Sequence, residues 1–231
     1  QTETFHWQMN DPIPTYLVAV AIAPYEEVRM NVDGIPVLLT ALAADTSNLR
    51  KSFENLPTCI RTFVSSYGEH TFDRIGFNTV PFNSGAMEHA TNIAYPRYAI
   101  ANGDKTSETL FAHELAHHWW GNTITCKTQE DMWLNEGWAS YSERLFLEAV
   151  YGKKAYDDDI EDNHHRVLQF AHVLDEAILP VSGIGHANTY GRHVYDKGAD
   201  MVHTLRGLMG DQSFFEACKS FQSSFKFKDV T

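Results

Sequence analysis

His113-Glu114-Leu115-Ala116-His117 can hold a metal ion and use it. On a helix the two histidines stand one turn apart on one face, so both imidazoles reach one ion. Glu136, in Asn135-Glu136-Gly137-Trp138, offers a third ligand from a following segment. Two His and one Glu suit zinc, with cobalt or manganese as chemically allowed substitutes. Three protein ligands leave a fourth position for water, the mark of a catalytic rather than a structural site. Glu114 points off the ligand face yet stays near enough to take that water's proton. The expected chemistry is attack of water on a carbonyl, with the proton passed on to a leaving amine. One zinc ion is the cofactor this set predicts. Leu110, Phe111, Ala112, Leu115, Ala116, Trp119 and Trp120 make the helix apolar, so it should be buried, and buried imidazoles need a partner.

Three further positions can complete such a site. Tyr195, in Val194-Tyr195-Asp196-Lys197-Gly198-Ala199, can donate to a developing oxyanion. A tyrosine on an apolar helix face can equally be core. Gly85-Ala86-Met87-Glu88 combines small residues, which let a substrate backbone approach, with a carboxylate. An extended peptide can add to such an edge as a strand, and Glu88 would then hold its free amine. The alternative for Glu88 is a solvated turn carboxylate. Glu143 is either a partner behind the ligands or part of a solvated helix face. His118, His164, His165, His172, His186, His193 and His203 show no second ligand spacing.

The elements that must position these residues are legible in part. Tyr16 to Ala23 reads as a strand between prolines, and Ile35 to Leu42 as a second strand after an Asp33-Gly34 turn. Asp45 to Ser66 has helical spacing, with a kink or break expected at Pro57. Arg74 to Phe82 and Asn92 to Ile100 read as strands. The metal helix is expected over Asp104 to Trp120, with Asp104, Thr106 or Ser107 as cap and Gly121 as stop. Helices follow over Asn135 to Tyr151, Lys153 to Val173, Tyr190 to Met209 and Gln212 to Phe225. Strands early and helices late give an α+β fold.

The chain has 231 residues, 18 basic against 30 acidic, and a formal net charge of −12. That charge argues against nucleic acid or an anionic membrane surface as partner. No apolar run is long enough to span a bilayer. Cys59, Cys126 and Cys218 are odd in number and widely spaced, so they read as free thiols rather than a disulfide framework. The chain begins at Gln1 without a signal-like segment, which reads as a mature chain or an excised piece; the compartment stays open.

HELAHHWWGN followed by WLNEGWASY, together with GAMEH and YDKGA, resembles the M1 family of zinc aminopeptidases, the gluzincins. The resemblance implies His113, His117 and Glu136 as zinc ligands and Glu114 as general base. It implies Tyr195 as stabiliser of the transition state and Glu88 as anchor for the substrate α-amine. The implied substrates are peptides with a free N-terminus. The implied fold is a thermolysin-like catalytic domain, a small mixed sheet over a helical half. Family members carry flanking domains, so residues 1–32 are expected to be the end of a preceding β-domain and 33–231 the catalytic domain. His89 departs from the family pattern, which has Asn there, and Ala90 stands where Gly is common. An endopeptidase and an epoxide-hydrolase-like relative are the alternatives on the same fold.

Overall fold

The computed structural model describes residues 4–231. A four-stranded sheet forms one half, in the order β1 (Tyr25–Val32), β2 (Ile35–Leu42), β3 (Ile75–Val80), β4 (Ile93–Pro96). β1 and β2 form an antiparallel hairpin, while β3 and β4 run parallel to β2. The hairpin turn needs two positive φ angles, which Asp33 (51°) and Gly34 (96°) supply. Its ladder runs from Tyr25↔Leu42 to Val32↔Ile35, so the sheet begins before the boundary expected at residue 33.

The helical half holds α1 (Thr46–Ser52), α2 (Leu56–Tyr67), α3 (Glu108–Ala116), α4 (Glu136–Tyr151) and α5 (Lys153–Arg166). A π-helical turn (Val167–Ala171), α6 (His172–Leu174), α7 (Arg192–Met209) and α8 (Asp211–Phe225) follow. A short parallel pair, β5 (Ile124–Cys126) with β6 (Lys228–Val230), ties the segment after α3 to the last residues. The architecture is the α+β arrangement expected, a small mixed sheet beside a helical half. The core lies between the sheet and α2, α3 and α4. Phe53 is its hub, with ring centroids 5.0 Å from Phe77, 5.0 Å from Tyr95 and 5.1 Å from Phe111.

Several expectations are corrected. Tyr16 to Ala23 is not a strand: Thr15–Leu17 form one 3-10 turn, and Val18, Val20 and Ile22 are exposed. No strand among the described residues pairs with them, so β-propensity there has no ladder to join. The hairpin strand β1 was hidden by its charges: Val28, Met30 and Val32 share the inward face, while Glu26, Glu27, Arg29 and Asn31 are exposed. The break in the first helical stretch falls at Phe53–Asn55. Pro57 sits in the first turn of α2, where its missing N–H costs nothing. β4 is shorter than expected, because Arg97–Ile100 turn into a 3-10 helix. The metal helix is also shorter, at Glu108–Ala116. The His118 and Trp119 amides close it by donating hydrogen bonds to the Leu115 and Ala116 carbonyls, and Asp104 caps a turn upstream through Thr106. The stretch Lys153 to Val173 is split by the π-helical turn. All three cysteines are free.

α4 and α7 meet at a glycine pair. A Cβ on Gly198 would lie 2.8 Å from the Gly137 Cα, and one on Gly137 would lie 2.9 Å from the Gly198 Cα. Glu136 and Tyr195 flank this contact, so their separation is set by how closely the two backbones approach.

Candidate metal centre

α3 is buried from Phe111 onward, including its polar residues: His113 is 9%, Glu114 5% and His117, just past its end, 1% exposed. Phe111, Ala112, Leu115 and Ala116 lock it into the core. α4 begins at Glu136, so that carboxylate leaves the first turn toward α3. Its Oε2 lies 3.1 Å from His113 Nε2 and 3.3 Å from His117 Nε2. Four ligands about 2.0–2.1 Å from a tetrahedral zinc stand about 3.3–3.4 Å apart, so these edges match the ion.

The hydrogen bonds behind the ligands fit the same reading. His113 Nδ1 lies 2.9 Å from Glu143 Oε1, and His117 Nδ1 lies 2.9 Å from the Trp120 carbonyl oxygen. Both partners accept, so each Nδ1 carries the proton and donates it. A bound cation would displace any proton on Nε2, leaving that nitrogen's lone pair to the ion and the proton on Nδ1. Glu143 is therefore the partner behind the ligands rather than part of a solvated face.

The electrostatics follow from burial and crowding. Burial disfavours charge on His113, but Glu136 and Glu143 outweigh it and raise its pKa. Burial is likewise outweighed at His117, by Glu136 and Glu88, to about 9. Burial would raise Glu136, but His117 and His113 hold its carboxyl far below the usual range. Glu114 is the reverse case. Burial pushes it up to about 7, against the pull of His113 and His117. A carboxylate poised near neutrality can both take and return a proton.

Glu88 is 8% exposed and makes no ion pair among the described residues. One carboxylate oxygen lies with Glu114 and His117, their donor atoms all within 4.8 Å of one another. These three could also bracket a cation. The His113, His117 and Glu136 set is the better metal site, because both of its imidazoles are aimed by partners at Nδ1. Met87 is bonded both ways to Ala94 (3.0 and 2.9 Å), which fixes Gly85, Ala86, Met87 and Glu88 beside β4. Asn122 Nδ2 donates to the Glu88 carbonyl at 2.8 Å. The Tyr195 ring lies parallel to His113, 6.0 Å between centroids and 13° between planes. Burial, and next Glu136, raise its pKa, so the phenol keeps its proton. The expected site residues thus converge on one cleft.

A family model described as "Peptidase family M1 domain" matches residues 48–231. The chain belongs to peptidase family M1. Mouse aminopeptidase B is 27% identical over 240 residues, covering 98% of this chain and 36% of that relative. Leucine aminopeptidase 2 of Aspergillus terreus is 28% identical over 245 residues, covering 98% of this chain and 37% of that relative. The chain thus spans little more than a third of these M1 relatives. Among solved structures, an M1 zinc metallopeptidase from Deinococcus radiodurans bound to a Tyr-Ser-Ala substrate shares the fold. Its TM-score is 0.82 at 22% identity, covering 96% of this chain and 50% of that one. Leukotriene A4 hydrolase from Saccharomyces cerevisiae has a TM-score of 0.75 at 18% identity, covering 88% of this chain and 34% of that one.

Sequence reasoning missed Asn122 and the Trp120 carbonyl. The first is one polar residue after a glycine, and the second is a backbone group, so neither leaves a pattern. A separate cavity of about 260 Å³ behind Trp120 and Trp138 is lined almost wholly by carbon. Its one reactive group is the Cys218 thiol, which burial pushes up to about 12 and so keeps protonated.

Proposed function

We propose that this M1 chain is the catalytic part of a zinc-dependent aminopeptidase, holding one ion through His113, His117 and Glu136. The observation that carries the exopeptidase reading is the buried Glu88 carboxylate, unpaired among the described residues and beside Glu114 and His117. A buried anion is costly without a counter-charge, and the α-ammonium of a peptide supplies one. The relatives named aminopeptidases support the same substrate class.

Zinc supplies Lewis-acid chemistry, acidifying water and polarising a carbonyl. The rest falls to the chain. Glu88 grips the first residue's amine and fixes which peptide bond lies over the ligands. Gly85, Ala86 and Met87 line the approach, with Met87 held by Ala94 so that its neighbours keep their place. Glu114 takes the proton of the attacking water at its carboxylate and returns it to the departing nitrogen. The Tyr195 hydroxyl donates to the oxygen that gains charge. Glu143 keeps the His113 proton on Nδ1.

No helix among the described residues is long and apolar enough to cross a membrane. The exposed Val18, Val20 and Ile22 support reading the residues before β1 as the end of a neighbouring β-unit, with the catalytic unit starting near Tyr25.

The test is release of the first residue from matched peptides with free and acetylated N-termini, with zinc and with a chelator. It is run on this chain and on a longer parent. Cleavage of the free-amine peptide alone, abolished by chelator, is expected. Equal cleavage of the acetylated peptide would leave a zinc endopeptidase. Hydrolysis of an epoxide without peptide cleavage would leave the hydrolase-like alternative.

A further inference from the structure

Beside Tyr195 and Glu143, the two residues that lie against His113, is a polar cavity of about 560 Å³. That volume suits a small ligand or a few peptide residues. Its charged lining is Arg144, Arg166, Arg192, Glu143 and Asp196. Four of these five are already committed. Glu143 holds His113, Arg192 Nη1 donates to Asp196 at 3.2 Å, and Arg144 Nε faces Asp159 at 2.6 Å.

Arg166 is the exception. It makes no ion pair among the described residues. Its buried Nε has no hydrogen-bond partner. One long bond, Nη2 to Asn163 Oδ1 at 3.4 Å, uses one of five guanidinium donors. The same Asn163 oxygen accepts from Arg144 at 3.2 Å, and its amide is tied to Asp196 and Asp200, so the side chain that steers Arg166 is itself fixed. A guanidinium with free donors in a polar pocket, in a chain of net charge −12, is a site for an anion.

The neighbours of each group say which anion. Glu88 lies with Glu114 and His117. Tyr195 and Glu143 lie against His113 and line the cavity, and Glu88 is not among its lining residues. A peptide anchored by its amine at Glu88 and cut over the ligands carries its departing part past Tyr195 into that cavity.

We propose that Arg166 forms a subsite for a carboxylate on the departing part of the substrate. This rests on the aminopeptidase reading above. The carboxylate is either the C-terminus of a short peptide or an acidic side chain just beyond the cut bond. Charge-assisted bonds of this kind, in a partly open site, give roughly a tenfold gain in affinity.

The test measures binding, so turnover does not enter. Calorimetry on the zinc-loaded Glu114→Gln protein compares Ala-Gly-Gly, its C-terminal amide, and Ala-Asp-Gly amide. The acid, the aspartyl amide, or both should bind roughly tenfold more tightly than Ala-Gly-Gly amide; which of them does identifies the source of the carboxylate. Arg166→Gln should abolish the difference without weakening the neutral peptide, and Arg166→Lys should restore part of it. In the active protein, Arg166→Gln should raise KM for the favoured peptide at unchanged kcat. Equal binding of all three peptides overturns the subsite and leaves the aminopeptidase reading intact. So does an advantage that survives Arg166→Gln. N-acetyl-Ala-Gly-Gly is titrated alongside; if it binds as tightly as Ala-Gly-Gly, the amine anchor is overturned, and the subsite with it.

Discussion

Gly198→Ala is the sharpest probe of how the cleft is held. The added methyl would sit 2.8 Å from the Gly137 Cα. Non-bonded carbons settle at about 3.5–4.0 Å, so α4 and α7 must separate by about 1 Å. Neither wall is a flexible side chain, so the backbones must move. Glu136 rides on α4 and Tyr195 on α7, and Tyr195 therefore shifts relative to the ligands. A misplacement of about 1 Å at a reacting centre costs about a hundredfold in rate. Overpacking at the contact should cost about 1–3 kcal/mol of stability. The proposed ligands lie on α3, at its C-cap and at the start of α4, so zinc affinity should change little. The assay is kcat and KM on a free-amine peptide, with zinc content and a thermal melt alongside. A folded, zinc-loaded Gly198→Ala protein with unaltered kcat would refute the claim that this crossing sets the position of Tyr195.

Three further outcomes are expected. Glu143→Ala removes the acceptor for His113 Nδ1, so zinc affinity should fall roughly 10–100-fold, read by chelator competition. His89→Asn should remove a rise in KM at acid pH. Burial holds the imidazole below its ordinary pKa of 6.5, so it charges only in mildly acid solution, and that charge opposes amine binding at the adjoining Glu88; identical KM–pH curves would count against this. His70, lowered to about 4 mainly by burial, should weaken the fold as pH falls. The unfolded chain takes up this proton near pH 6.5 and the folded one only near 4, so stability is lost across that window. His70→Gln should flatten that part of a melting-temperature profile.

The site was more legible than the frame that holds it. His113, Glu114 and His117 announce themselves because a helix converts a spacing of four into one face. Glu136 was readable as a third ligand from its place downstream, but Tyr195 gained weight only from the resemblance, since its approach depends on α4 and α7 crossing at Gly137 and Gly198, a contact that leaves no periodic trace. The strand errors have one cause. A strand exists only where another chain segment offers a ladder. Val18 to Ile22 had the right residues without a partner, while Tyr25–Val32 had charged residues and a full partner in β2. Arg166 could not be singled out in sequence either, because a lysine- and aspartate-rich helix gives no hint of which cation is left unneutralised.

The β5–β6 pair has a consequence for the order of assembly during synthesis. Both histidines and Glu136 precede α5, yet the loop joining α3 to α4 is clamped by residues near the end. Phe227 N donates to the Thr123 oxygen at 2.8 Å, Lys127 N donates to the Val230 oxygen at 2.8 Å, and β6 lies along Ile124–Cys126. These are contacts of long sequence separation, the slowest kind to form. While the ribosome is still making α5 to α8, the ligands exist but the loop between them is unclamped. The nascent chain can meet zinc early, but it can clamp this loop only once Phe227 to Val230 have emerged.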